Sequence, residues 1–180
     1  KAGMVTFGKS AGRCLGQGMA ADIYGMASYN ASELAQALAS VECAGGTTPM
    51  SEGIDAGSQL LAAENGPMAV IIVSDFQWLD TAAVEASVAQ LKAQHGSDLC
   101  LHTIKIGDNT TGDALISSIN DVAGCDSAVS AAGIASGAAM SNYVQDTLMA
   151  PLQYEKHTVS ATALFDFDTA VLKQQGKAEL

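Results

Sequence analysis

A chain of 180 residues, 48% of them apolar, fits one folded domain with a tail. Its net charge of −11, with eight Lys and Arg in all, leaves no basic patch for nucleic acid or an anionic membrane surface. No run approaches the roughly 18 apolar residues of a membrane span.

The start at Lys1, without initiator Met or signal sequence, predicts a processed or trimmed product. Cys14, Cys43, Cys100 and Cys125 contain no Cys-x-x-Cys pair, which argues against a zinc knuckle or a thioredoxin-like motif. An even number permits two disulfides in an oxidising compartment, and buried free thiols fit equally well. Of the three connectivities, Cys14–Cys43 with Cys100–Cys125 joins consecutive units of the fold expected below.

Met4-Val5-Thr6-Phe7 reads as a short strand closed by Gly8, and the four glycines of residues 8–18 read as a loop. Asp22 to Met26 is a candidate edge strand. Asn30 caps a helix, with Glu33 as reciprocal partner, and Leu34, Leu38 and Val41 follow at helical spacing. Gly45-Gly46-Thr47-Thr48-Pro49 opens a helix over 50–63, with Thr48 at its cap and Pro49 at its first position. Met50, Ile54 and Leu61 share one face of it. Ala69 to Val73 is continuously apolar, the pattern of a parallel strand covered on both sides, and it stops on Ser74-Asp75.

Asp80 caps the next helix, carrying Val84, Val88 and Leu91, and Gly96 ends it. Leu99 to Ile106 is a strand and Gly107-Asp108-Asn109 a turn. Leu115, Ile116, Ile119 and Val122 mark another helix, Ser127–Ser130 a last short strand. Met140, Val144 and Leu148 predict a final helix packed on the body. Strands alternating with helices mean right-handed crossovers and a mainly parallel sheet flanked by helices, an α/β class. Residues 150–158 read as a linker. Residues 159–180, with the strand Ser160 to Asp168 and a polar helix from Leu172, read as a second unit cut off before it could bury a core.

Three short motifs compete for chemistry. Gly3 to Ser10 fits the P-loop pattern G-x-x-x-x-G-K-S, with Asp75 as the acid that would hold magnesium. Its middle residues are strand-forming, whereas a phosphate cradle needs loop amides. Gly8-Lys9-Ser10-Ala11-Gly12 fits the nucleophile elbow of a serine hydrolase, with Ser10 as nucleophile. Gly12, Gly16 and Gly18 spoil the helix that should follow, and His95, His102 and His157 are scattered. Gly16-x-Gly18-x-x-Ala21 matches a dinucleotide fingerprint but follows a loop. Thr48 and Asp75 instead stand where open parallel sheets place ligands. A hydroxyl with a carboxylate suits a hard divalent cation.

Residues 3 to about 149 resemble a von Willebrand factor type A domain entered at its second strand. Met4 to Gly8 is similar to that strand. Gly46-Thr47-Thr48-Pro49 with Gly53-Ile54 resembles the second segment of the metal-ion-dependent adhesion site, and Val70 to Asp75 the third. Leu101 to Gly107 is similar to the fifth strand. The resemblance implies a Rossmann-like fold in which Thr48 and Asp75 are metal residues. Their ion would be Mg2+ or a similar hard cation, with a position open to a partner's carboxylate. The family's first strand, which lies centrally in its sheet, and the Asp-x-Ser-x-Ser segment are both absent from this chain, and Phe76 stands where Gly is usual. The implied ion site is therefore incomplete. Ala163 to Asp168, Leu172 and Gly176 to Leu180 resemble the opening of an OmpA-like peptidoglycan-binding domain. That family's peptidoglycan-binding residues would lie beyond Leu180. The two resemblances together imply a non-enzymatic adhesion module of a bacterial envelope protein, periplasmic or outer-membrane associated, recognising a protein partner.

Overall fold

The computed structural model describes residues 1–9, 19–41, 48–123 and 128–149. The chain divides into two units, Lys1–Met149 and Ala150–Leu180. The second unit lies outside the described residues, as do the expected linker and the OmpA-like segment. What is described is a mixed α/β arrangement holding a three-stranded parallel sheet and a separate two-stranded antiparallel one.

Strands β1 (Ala2–Lys9) and β2 (Met19–Ala27) pair antiparallel, with register shifts along their length. Helix α1 (Ala31–Ala39) follows. The Asn30 side chain accepts from the amides of Ser32 and Glu33, so that half of the expected cap forms. The Glu33 carboxylate instead accepts from the Tyr24 hydroxyl at 3.4 Å. Leu38 is exposed and α1 buries no residue, so its apolar stripe packs less deeply than its spacing predicts.

Helix α2 (Met50–Leu61) buries Met50, Gly53, Ile54 and Leu61 on one face. Its first helical residue is Met50 and its cap position is Pro49, with no side-chain cap bond. The expectation of Thr48 as the cap is corrected by one residue. The Met50 amide donates to the Thr48 carbonyl at 2.8 Å, so a tight backbone turn takes the place of a hydroxyl cap.

Strand β3 (Met68–Ser74), helix α3 (Thr81–His95), strand β4 (Leu99–Lys105), helix α4 (Asp113–Ala123) and strand β5 (Ala128–Ser130) complete the parallel sheet, in the order β3-β4-β5. Asp80 caps α3 by accepting from the Ala83 amide, and Gly96 ends it at φ 55°. Val84, Val88 and Leu91 of α3, Leu99 and Leu101 of β4, and Leu115, Ile116 and Ile119 of α4 form one core with Ile72 and Phe76.

Two apolar patterns fold differently from expectation. Burial along β3 alternates. Val70, Ile72 and Ser74 turn inward, while Ile71 (38% exposed) and Val73 (48%) face outward. The strand is therefore fully covered on one side and only partly on the other. In helix α5 (Gly137–Val144) and the π-helical turn Gln145–Met149, Met140 and Leu148 are exposed and Tyr143 is the buried residue. The aromatic Tyr143, rather than the aliphatic stripe, is thus the buried position of the helix. Val122 at the end of α4 is also exposed.

Candidate functional site

The loops after β3 and β4 and before α2 converge at the carboxyl end of the parallel sheet. The Ser74 carbonyl accepts from the Ile106 amide at 2.8 Å, extending the β3–β4 pairing to its last residue. The chain then turns sharply. The Ser74 hydroxyl oxygen accepts from the Phe76 amide at 3.0 Å, and the Asp75 carboxylate from the Gln77 amide at 3.1 Å. These local bonds offer the backbone an alternative to continuing the strand. They hold Phe76 and Trp78 at φ 54° each, in the left-handed region that side chains other than Gly rarely adopt.

The two strained residues have opposite surroundings. Phe76 is 1% exposed and belongs to the core. Trp78 is 85% exposed. The turn thus drives one ring inward and displays the other. Backbone conformations of this kind persist where the surroundings over-determine them, and they concentrate at functional sites.

Thr48 is joined to this loop through the backbone. Its amide donates to the Trp78 carbonyl at 3.3 Å. Asn109, in the loop after β4, donates through Nδ2 to the Asp75 carbonyl at 3.2 Å, and its own side-chain oxygen accepts from the Thr111 amide. Three chain segments distant in sequence are therefore tied together at Thr48, Asp75–Trp78 and Asn109. The Thr48 and Asp75 segments meet; Gln77, Trp78 and Asn109 are participants that sequence reasoning missed. The Gly107-Asp108-Asn109 turn was visible as a turn, but its reach to the Asp75 carbonyl was not.

The Asp75 carboxylate accepts on both oxygens from Gln77, from the amide nitrogen and from Nε2 at 3.3 Å. The described residues contain no group of three or more His, Cys, Asp or Glu able to hold a metal ion. One carboxylate and one hydroxyl do not make the six-oxygen shell of magnesium. These two residues do not fit a tightly held resident ion.

Gly3 to Lys9 form strand β1, so this stretch of the P-loop pattern is paired backbone rather than an open cradle. Ser10, Gly16 and Gly18 lie outside the described residues, and Ala21 sits within β2. His95 stands at the end of α3. His102, on β4, is 4% exposed, and neither ring nitrogen has a hydrogen-bond partner; burial lowers its pKa below the ordinary histidine value. His157 lies outside the described residues. Cys100 is disulfide-bonded. Cys14, Cys43 and Cys125 lie outside the described residues, and so does the pairing.

The fold and the converging loops define an α/β protein with a three-stranded parallel sheet and a displayed aromatic at its carboxyl end. No protein-family model matches the chain, and no curated protein matches it. Among the described residues no helix is long and apolar enough to cross a membrane.

Proposed function

We propose that residues 1–149 form a non-enzymatic binding domain of the von Willebrand factor A type. It lacks that family's first strand and Asp-x-Ser-x-Ser segment, and it recognises a protein partner through the loops at the carboxyl end of its sheet. Residues 159–180 resemble the opening of an OmpA-like domain, a type that binds peptidoglycan. On this reading the protein belongs to the bacterial cell envelope, in the periplasm or at the outer membrane.

The observation that carries this reading is the bond from the Thr48 amide to the Trp78 carbonyl. It joins the two segments whose sequences resemble parts of an adhesion site. Around it stand groups suited to contact rather than to covalent chemistry: an exposed Trp, an exposed carboxylate and an amide side chain. Exposed Trp is the residue type that most often anchors a protein interface.

The test is a pull-down from a bacterial envelope extract with the intact chain, run beside Asp75→Ala and Trp78→Ala. The reading expects a protein held by the parent chain and lost, at unchanged circular dichroism, by either variant. Hydrolysis of ATP or GTP would replace it with the P-loop enzyme. Labelling of Ser10 by a fluorophosphonate probe would replace it with the serine hydrolase.

A further inference from the structure

The chain carries five asparagines, and four of them are held in place. The Asn30 side chain caps α1, and the Asn109 side chain is bonded to the Asp75 carbonyl and the Thr111 amide. Asn120 lies within α4 and Asn142 within α5, where the helix fixes the backbone on either side. Asn65 is the exception. It is exposed, in the connection between Leu61 at the end of α2 and Met68 at the start of β3. Its side chain makes no hydrogen bond among the described residues.

The next residue is Gly66, at φ 83° in a bend outside both elements. Its amide donates to nothing among the described residues. A β-carbon built on this glycine would find no atom within 4 Å, so the space beside it is open. Pro67 follows and, lacking an N–H, cannot carry the β3 pairing back toward the pair. The other four asparagines precede Ala31, Thr110, Asp121 and Tyr143, each with a β-carbon.

We propose that Asn65-Gly66 is a site of spontaneous covalent modification, at which the asparagine is converted to aspartate and isoaspartate. Hydroxide removes the proton of the Gly66 amide, and the nitrogen attacks Asn65 Cγ. The new N–Cγ bond closes a five-membered succinimide. The Cγ–Nδ2 bond breaks, and the nitrogen leaves as ammonia after taking a proton from water. A second water then opens the ring. Cleavage of the N–Cγ bond gives aspartate. Cleavage between the nitrogen and the Asn65 main-chain carbonyl carbon gives isoaspartate, with the chain continued through the side chain. One water is consumed and one ammonia released in all, and nothing is oxidised or reduced. Glycine serves because its backbone swings freely and no β-carbon obstructs the nitrogen.

The address of the product gives it a structural effect. Conversion adds one negative charge to a chain already at −11. That charge stands next in sequence to Glu64, whose ion pair with Lys1 at 2.8 Å anchors the start of β1. The isoaspartyl form also lengthens the link between α2 and β3 by one backbone atom. The site lies at the amino end of the parallel sheet and is independent of the loops that converge at its carboxyl end.

Peptide mapping by mass spectrometry tests the proposal, on the full chain aged in its folded state at physiological temperature and mildly alkaline pH. The peptide holding Asn65 should gain the mass difference between an amide and an acid. It should split into two products, one of them a substrate for isoaspartyl methyltransferase. The other four asparagines should convert at least about tenfold more slowly, because their surroundings must open first. In denaturant, Asn65 should convert within about threefold of its folded rate, since the turn offers little to open. Gly66→Ala, for whose methyl there is room, should slow conversion by about tenfold in the folded and the denatured chain alike. An Asn65 that keeps its amide when folded but loses it in denaturant would show the turn closed to attack and overturn the proposal. Equal conversion at all five asparagines would overturn it too. Aspartate without isoaspartate would mean direct hydrolysis rather than ring closure, with the same result.

Discussion

Gly112 lies so close to Phe76 that a β-carbon on the glycine would stand 2.2 Å from Phe76 Cβ and 2.9 Å from its carbonyl oxygen. This contact closes the loop after β4 onto the strained turn after β3. Gly112→Ala should therefore displace the Phe76 backbone rather than a flexible side-chain tip. We expect a loss of about 1–3 kcal/mol, the range for overpacking a filled site. Urea denaturation checks it, and an unchanged midpoint would mean that the two loops do not touch as described.

Thr103 is fully buried and its hydroxyl has no hydrogen-bond partner. Thr103→Val keeps the shape and removes the unpaired group. Leaving a buried polar group unsatisfied costs about 1–3 kcal/mol, so the valine variant should melt higher by a few degrees. Calorimetry decides it; a lower Tm would reveal a partner for the hydroxyl, such as a buried water.

Acid should weaken the fold through His102. Its pKa is lowered in the folded state because burial disfavours the charged ring. Above the ordinary histidine value of about 6.5 both folded and unfolded chains hold a neutral ring, and this group adds no pH dependence. As pH falls below that value the unfolded chain takes up the proton first, so stability declines until the folded-state pKa is reached. His102→Phe should flatten this part of the stability profile, measured by denaturant titration between neutral and mildly acid pH. An equal slope in the variant would place the acid sensitivity elsewhere.

Magnesium should bind weakly. With Thr48 and Asp75 as donors and water completing the shell, low-millimolar Mg2+ at a level near its Kd adds about 0.4 kcal/mol, or about 1–2 °C in Tm for a domain of this size. Asp75→Ala should remove even that shift. A micromolar affinity in isothermal titration would require further ligands, and the two-donor description would fail.

Local signals were legible in the sequence because they act over a few residues. Asp80 caps α3 and Gly96 stops it, each by bonds within one turn of its own position. The convergence of the Thr48 and Asp75 segments was legible too, since parallel order places the loops at one end of the sheet. What stayed hidden depends on distant partners. The run Ala69 to Val73 is apolar whether one face is covered or both, so sequence alone could not show that Ile71 and Val73 face outward. In α5, Tyr143 lies one position from the stripe of Met140, Val144 and Leu148, and packing chose the ring. The hairpin's separation from the parallel sheet leaves no trace in either strand's own composition.

That separation has a consequence for how the domain comes apart. No backbone bond joins the β1–β2 hairpin to the β3–β4–β5 sheet among the described residues, and the contact of α2 with β1 runs through Gly3 and Gly53. The hairpin is thus moored by side-chain contact and the Lys1–Glu64 ion pair rather than woven into the sheet. Partial opening should release it as one cooperative piece, at a lower free energy than melts the parallel strands. A methyl group added at Gly53, only 2.7 Å from Phe7 Cδ1, would loosen that mooring first.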